Sequence, residues 1–394
     1  MNIAQIFAFF AAKNHYVSYI FTGLLNFCTH NLEYIGQKAV VIKPVVDMSS
    51  SFPLCYNPSA SGGEEQCRRA NQALYNETVN CIAVIADAVK IDYQIGIYGH
   101  DENGNNYSTM WIPQDGLALL KNIDPILLPM IPYIQKLDQP KLFLTTPWYN
   151  FSVGSYFVRI PTKDTDSHYA IFLPNFIKNT FAIEYIPKDQ ALLYVDHRKE
   201  KDARSLFVAL LHKLIECAAE KLEDGVIPYV WGGSSFITSN KKDDFLYTAG
   251  AWHRPCCEQI YAGYDCSGLI WRLAQCAGIP FPWKVSKMMA FHCRPINENE
   301  TLEIGDIIWF EGHVMVVANI ENNTLIEAAG YKSGYGKVQR IDLNKRFEGI
   351  TSYTDLMHAY KSEHPVNLLA ADGREIKKVV IKLLKLTPPY LPIL

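Results

Sequence analysis

The chain has no CxxC pair among its ten cysteines, no block of consecutive basic residues, no low-complexity tract and no repeat of fixed period. Each absence removes a class. Without cysteines at ligand spacing there is no zinc-ribbon or dithiol redox signature, and ten cysteines in 394 residues are too sparse for a disulfide scaffold. A reducing compartment suits them. With 37 Lys and Arg against 40 Asp and Glu, the net charge of −3 offers no electrostatic footprint for nucleic acid. The apolar first thirty residues are broken by Lys13 and Asn14, and the run from Tyr16 to Phe27 falls short of the about 20 residues that a membrane-spanning helix needs. No membrane span is expected. The same segment lacks a basic n-region and a small-residue cleavage site, so it reads as a packed helical segment over 1–35. A cytoplasmic location follows, with export to the periplasm through an atypical signal as the alternative.

What is present is apolar and aromatic: 49% apolar against 20% charged residues describe a globular chain, and its length suits two or three domains. Strand-length runs at 39–42, 45–46, 78–85, 90–98 and 107–112, separated by Gly, Asn, Asp and Pro clusters, argue for a small all-β unit. A second series at 141–145, 155–160, 169–173 and 181–186 follows a Pro-rich link. Two small barrels in tandem, over 36–125 and 126–200, account for both. The first resembles bacterial SH3-like (SH3b) domains through Ala73-Leu74-Tyr75-Asn76-Glu77-Thr78-Val79 and Tyr107-Ser108-Thr109-Met110-Trp111-Ile112-Pro113. After Asp196 the apolar period becomes helical through Leu206, Leu210, Leu214, Cys217 and Leu222, and three strand-like runs at 306–310, 313–320 and 324–328 come later. Helices followed by antiparallel strands make an α+β domain, placed at 201–360, with a tail at 361–394 packed on it.

Chemistry gathers at Tyr264-Asp265-Cys266-Ser267-Gly268, which runs into the apolar segment 269–277. A cysteine that opens a helix sits among unpaired backbone N–H groups, where the helix dipole favours its thiolate. Such a nucleophile needs an imidazole to take the thiol proton and return it to a leaving amine, and a polar group to orient that imidazole. His313, at a strand start after Glu311-Gly312, supplies the imidazole. The ordered blocks Tyr229-Val230-Trp231-Gly232-Gly233, Asp265-Cys266-Ser267-Gly268, Gly305-Asp306-Ile307-Ile308-Trp309-Phe310 and Gly312-His313-Val314 resemble the NlpC/P60 family of papain-like cysteine peptidases. The likeness covers about Arg204 to Ala329.

The resemblance implies cleavage of bacterial cell-wall (murein) peptides at the γ-D-glutamyl bond to a diamino acid such as meso-diaminopimelate. Cys266 would be the nucleophile and His313 the base, with no metal or organic cofactor. The third polar residue of the family lies on the next strand, where Leu325-Ile326-Glu327-Ala328 puts Glu327; Asn319 is a weaker candidate. Register decides whether Glu327 reaches the imidazole. A hairpin centred on Glu321 sets it across from Met315, on the face of His313, whereas one centred between Glu321 and Asn322 sets it across from Val316, on the opposite face. The resemblance further implies that the Cys266 N–H and Tyr229 hold the oxyanion, and that Gly232 and Gly233, beside Trp231, let the backbone pass close to substrate. Ser267 would hold the D-glutamyl carboxylate. Asp265 would bind the free α-amine of an N-terminal L-alanine, helped by Glu77 and Tyr107 from the first barrel. An enzyme of this kind trims released peptides in peptidoglycan recycling.

Two features depart from the family pattern. Between the WGG and DCSG blocks stand 31 residues, Ser234 to Tyr264, where members have a short loop. This lid-like insert holds Trp252, His253, Cys256 and Cys257, and one histidine with adjacent cysteines makes a poor tetrahedral metal set. The second departure is Trp283-Lys284-Val285, where members often carry an Arg-Asp pair. Two rival readings stand beside the peptidase. One is a cell-wall amidase or lysin of Cys-His-Glu type, which Glu327 suits. The other is a non-catalytic protein that binds wall peptide, which the insert suits and the intact Cys–His pair opposes. The oligomeric state is not written in the sequence.

Overall fold

The structure is a computed structural model that describes residues 33–52, 69–100, 106–133, 140–194, 200–238, 262–297 and 299–386. The helical expectation for 1–35 lies outside these residues except for its last three, and so do Trp252, His253, Cys256 and Cys257 of the insert.

The N-terminal region is β-rich. It runs through β1 (Lys38–Val41), β2 (Val45–Ser49), β3 (Arg69–Leu74), β4 (Thr78–Ile85), β5 (Ala88–Asp92), β6 (Gly99–His100), β7 (Asn106–Tyr107), β8 (Thr109–Pro113) and β9 (Leu117–Leu119). Seven of these form one sheet in the order β3-β2-β8-β5-β4-β1-β9, while β6 and β7 pair separately. Its edge strands β3 and β9 do not pair with each other, so the SH3-like barrel expected from the strand runs does not close. The physical reason lies in the joints. Strands β2 and β8 meet at the single pair Ser49 and Trp111, and bulges between Met48 and Ser49 and between Cys81 and Ala83 bend the sheet without returning it on itself. The second unit, β10 (Lys141–Leu144), β11 (Tyr156–Val158), β12 (His168–Asn175), β13 (Thr180–Pro187) and β14 (Ala191–Leu193), is likewise open. It consists of a three-stranded sheet, β11-β10-β14, and a separate β12-β13 hairpin.

Helices α1 (Glu200–Lys221), α2 (Cys266–Cys276) and α3 (Ser286–His292) precede a five-stranded antiparallel sheet. Its first four strands in the chain are β15 (Ile307–Phe310), β16 (His313–Asn319), β17 (Thr324–Ala329) and β18 (Lys337–Asp342). After them come α4 (Leu343–Arg346), α5 (Tyr353–Lys361), β19 (Val366–Leu369), β20 (Glu375–Val379) and β21 (Lys382–Leu384). The order is β18-β17-β16-β15-β21, so the tail returns to cover the β15 edge. One face of β16 and β17, through Val314, Val316, Ile326 and Ala328, joins the core that contains α2; the other, through Met315, Val317 and Leu325, packs on Phe347, Leu356 and Leu368. Cover on both faces explains why β16 reads as a continuous apolar run instead of alternating.

The units share their interiors. Val79, Ile91 and Met110 of the first β unit belong to the same core as Trp271 and Leu273 of α2. On its outer side Val40 and Tyr75 pack with Phe151, Phe157 and Phe176 of the second unit. The architecture is therefore mixed α/β, and both β units pack on the helix that carries Cys266: Phe143, Val153 and Tyr156 of the second share the core of α2, and the Tyr156 hydroxyl donates to Gln275 O at 3.3 Å.

Candidate active site

Helix α2 begins where its sequence supplies a cap. Asp265 is extended, at φ −85° and ψ 173°, and its Oδ1 accepts from the Gly268 N–H and, at 3.1 Å, from the Ser267 hydroxyl. The helix is buried on nearly every side, as its largely apolar sequence requires, with Arg272 the buried charge among it, and Gly278 at φ 76° ends it. Three glycines make the approach possible. A Cβ on Gly268 would stand 2.0 Å from the Gly233 carbonyl oxygen, one on Gly233 2.4 Å from that of Gly263, and one on Gly232 2.3 Å from that of Arg69. Asp265 N–H also donates to Gly233 O at 3.1 Å. Gly232 and Gly233 thus serve contacts between backbones, where the sequence suggested clearance for substrate.

His313 is set by a turn. Gly312 at φ 85° closes the link between Phe310 and His313, which pair across β15 and β16. Val316 pairs with Ile326 and Val317 with Leu325, a register that continues to place Glu327 across from Met315 on the face of His313. Beyond the bulge between Val317 and Asn319 the pairing becomes Asn319 with Thr324. Each of the two hairpin registers therefore occurs, one on either side of the bulge. Asn319 spends its side chain in the turn, accepting from Asn322 N–H at 2.8 Å.

The imidazole Nε2–H donates to Glu327 Oε2 at 2.8 Å, which leaves Nδ1 for Cys266, whose sulfur is hydrogen-bonded to the ring. Burial opposes the imidazolium, but the Cys266 sulfur and then Glu327 outweigh it and lift His313 to about 9. Glu327 is buried, which alone would favour its neutral form. Arg346 chiefly, then His313 and Gln339, hold its carboxyl below the usual range. Arg346 Nε lies 2.9 Å from Oε1, and Gln339 Nε2 donates to the same oxygen at 3.0 Å. Arg346 Nη1 donates in turn to Leu369 O at 2.6 Å, so β19 braces the residue that braces Glu327. Sequence reading missed both supports. Gln339 stands directly across from Glu327 once β17 and β18 are paired, whereas Arg346 sits at the end of a four-residue helix with no local mark.

Asp265 has a second partner that sequence reading also missed. Lys284 Nζ lies 2.8 Å from its Oδ2 and 3.1 Å from its Oδ1, and Lys284 is only 1% exposed. The carboxylate assigned to a substrate amine thus already holds an ammonium of its own chain, and Ser267 turns its hydroxyl to that same carboxylate. Tyr229 is buried, donates its backbone N–H to Gly336 O at 2.9 Å and meets the ring of Tyr331 edge-on. Trp231 is 44% exposed and offers an aromatic face beside the glycines.

Glu77 is placed elsewhere than at an amine site. It is buried, with Oε1 2.6 Å from Arg272 Nη1 on α2, and it accepts from Leu74 N–H at 2.8 Å and from the Tyr93 hydroxyl. Its charge fastens the first β unit to α2. Tyr107 lies on β7 by its backbone, and its side chain is outside the described residues. Among the described residues no group of His, Cys, Asp and Glu is arranged to hold a metal ion, and no helix is long and apolar enough to cross a membrane.

A cysteine at a helix start, facing an imidazole braced by a buried carboxylate on an α+β scaffold, is the arrangement of a cysteine hydrolase. Residues 225–351 match the NlpC/P60 family, so the chain carries an NlpC/P60 domain. Proteins of this family are generally cysteine peptidases and hydrolases of cell-wall peptidoglycan. Among solved structures the chain is similar in fold to an NlpC/P60 family protein from Bacillus cereus, at 16% identity and a TM-score of 0.52 over 78% of this chain and 94% of that one. It is also similar to NlpC1 from Trichomonas vaginalis, at 15% identity and a TM-score of 0.31 over 78% of this chain and 88% of that one. The peptidoglycan hydrolase RipB from Mycobacterium tuberculosis matches at 24% identity over 37% of this chain and 62% of that one, with a TM-score of 0.23. Comparison with curated protein sequences gave no match.

Proposed function

We propose that the protein is a cysteine hydrolase of peptidoglycan peptides that cuts the γ-D-glutamyl bond to a diamino acid such as meso-diaminopimelate. The observation that carries this reading is the 2.8 Å bond from His313 to Glu327, with Cys266 on the other side of the ring. Cys266 Sγ attacks the γ-carbonyl carbon, and the carbonyl electron pair moves to oxygen. That oxygen meets the Cys266 N–H, which in the first turn of α2 has no intrahelical acceptor. The imidazolium then gives its proton to the leaving amine, the C–N bond breaks and a thioester remains. Water, deprotonated by the same imidazole, attacks the thioester and releases Cys266 as thiolate. Glu327 stays ionised throughout and holds the ring in place.

The amino end of the substrate is where the structure alters the expectation. A free L-alanine amine would have to share Asp265 with Lys284, whose ammonium already matches the carboxylate's charge, and displacing Lys284 would leave a buried ammonium unpaired at about 3–5 kcal/mol. A free amine is therefore not required. L-Ala-γ-D-Glu-meso-diaminopimelate and its N-acetyl form should both release diaminopimelate, read by mass spectrometry. Cleavage of the free peptide alone would return the amine to Asp265. No cleavage of either by a folded, reduced sample would remove the hydrolase reading in favour of wall-peptide binding. Glu327 in the third position also suits an amidase or lysin. Release of intact peptide from a muramoyl-peptide, with the γ-D-glutamyl bond unbroken, would assign that activity instead.

A further inference from the structure

We propose that Lys284 is a positioning residue for the nucleophile: its buried ammonium neutralises Asp265, so that α2 keeps a carboxylate cap beside Cys266 without setting an uncompensated negative charge next to the thiolate. The inference rests on the reading of Cys266 as nucleophile and deepens it. Two demands conflict at position 265. The helix start needs an acceptor for the Gly268 N–H and the Ser267 hydroxyl, which a carboxylate supplies. A negative charge one residue from a thiolate, however, disfavours that thiolate.

Lys284 resolves the conflict, and the structure goes to some length to put it there. Burying an ammonium is costly unless it is paired. The lysine is delivered by a splice between its own segment and the first β unit. Ile97 N–H donates to Pro282 O at 2.8 Å and Lys284 N–H to Ile97 O at 3.1 Å. Next to it, Trp283 stacks on His292 with ring centroids 3.6 Å apart and planes 2° from parallel. The lysine stem therefore has a fixed root.

The other ionisable groups around the pair are already balanced or silent. From β16, His313 faces Cys266 and carries the compensating positive charge; behind it, Glu327 on β17 is matched by Arg346. Arg272 on α2 is matched by Glu77. From the first β unit, Tyr98 feels the Asp265 charge, but burial keeps its phenol un-ionised far into the alkaline range. Asp265 is the charge beside the nucleophile that needs Lys284.

The test reads the thiol itself, not turnover. The full-length protein, Lys284→Met, Asp265→Asn and the double variant are treated with iodoacetamide across pH, and alkylation of Cys266 is followed by peptide mass spectrometry. Lys284→Met should slow alkylation at pH 7 about ten-fold and move the rate profile to higher pH, the size expected of one buried charge removed from a thiolate's neighbour. The double variant, neutral again and with a side-chain oxygen still capping α2, should recover most of the parent rate. Should Lys284→Met fail to fold, Asp265→Asn against the double variant carries the same comparison, and the former should react faster. Equal rates in Lys284→Met and the parent, equal rates in Asp265→Asn and the double variant, or no recovery in the double variant, would each overturn the proposal. A parent Cys266 no more reactive than the buried Cys276 would overturn the nucleophile reading along with it. Loss of peptide cleavage alone, with the alkylation pattern intact, would count against the substrate and leave Lys284 supported.

Discussion

A carboxylate can orient a catalytic imidazole only while it stays ionised, and in the interior it stays so only beside a cation. Arg346 is that cation for Glu327, at 2.9 Å, and Gln339 completes the oxygen's partners. Cys266→Ala should abolish hydrolysis, and Glu327→Gln should lower kcat by about 100-fold, the scale of losing an oriented acid–base group. A Glu327→Gln enzyme with parental kcat would remove Glu327 from the catalytic set. On the proposed mechanism the proton on His313 goes to the leaving amine, so kcat/KM should fall on the alkaline side around pH 9, where Cys266 and Glu327 place the imidazolium. An alkaline limb near pH 7 would show that these partners do not act on the ring. The same groups set stability in opposite directions. The folded value of His313 lies above the unfolded one of about 6.5, so its contribution is complete below that pH and is lost as pH rises through about 9. The folded value of Glu327 is depressed, so its contribution is present above about 4.3 and is lost as pH falls through the lowered value.

The start of α2 depends on backbones approaching without side chains between them. Gly268 faces the Gly233 carbonyl at a distance where any Cβ would stand 2.0 Å from oxygen, and both backbones are tied, Gly268 N–H to Asp265 Oδ1 and Gly233 to Asp265 N–H and Val230 O. Gly312 is different: it needs its left-handed φ of 85°, but nothing lies within 4 Å of a Cβ there. Gly268→Ala should therefore cost at least about 3 kcal/mol, from overpacking, and Gly312→Ala only about 1–2 kcal/mol, from backbone strain. Urea midpoints of the two variants measure this; a Gly312→Ala loss equal to or greater than that of Gly268→Ala would count against the close approach.

Over the whole molecule, the N-terminal β-rich region is part of the scaffold of the proposed site. Its core is continuous with that of α2, it roots Lys284 through Ile97, and its Glu77 pairs with Arg272 in the interior. Removing one member of a buried ion pair costs about 3–5 kcal/mol, because the other is left charged and unmatched. Arg272→Met should lower the thermal midpoint accordingly, and adding Glu77→Gln should restore much of it. A double variant less stable than Arg272→Met alone would show that Glu77 does something other than balance the arginine. At the far end of the chain, β21 covers an edge of the central sheet and Leu369 on β19 accepts from Arg346. The first β unit, through Ile97, and β19, through Leu369, thus each support the partner of one of the two carboxylates beside Cys266 and His313.

By itself the sequence determined what is encoded among neighbours. The start and apolar segment of α2, the glycine turn before His313 and the strands around it are local patterns, and it is the order of the four blocks, through their resemblance to the NlpC/P60 family, that singles out Cys266 and His313. Glu327 was legible up to a choice of register, because a hairpin's pairing hangs on its turn and any bulge near it. Here one bulge between Val317 and Asn319 brings both registers into the same hairpin. Tertiary structure alone decided the partners. Lys284 meets Asp265 and Arg346 meets Glu327 across 19 residues of chain each, and Arg272 meets Glu77 across 195. It also decided that neither β unit closes into a barrel, since closure is a relation between distant edges. Side-chain periodicity belongs to a segment, whereas the neutralisation of a buried charge belongs to whichever segments packing brings within about 3 Å of it.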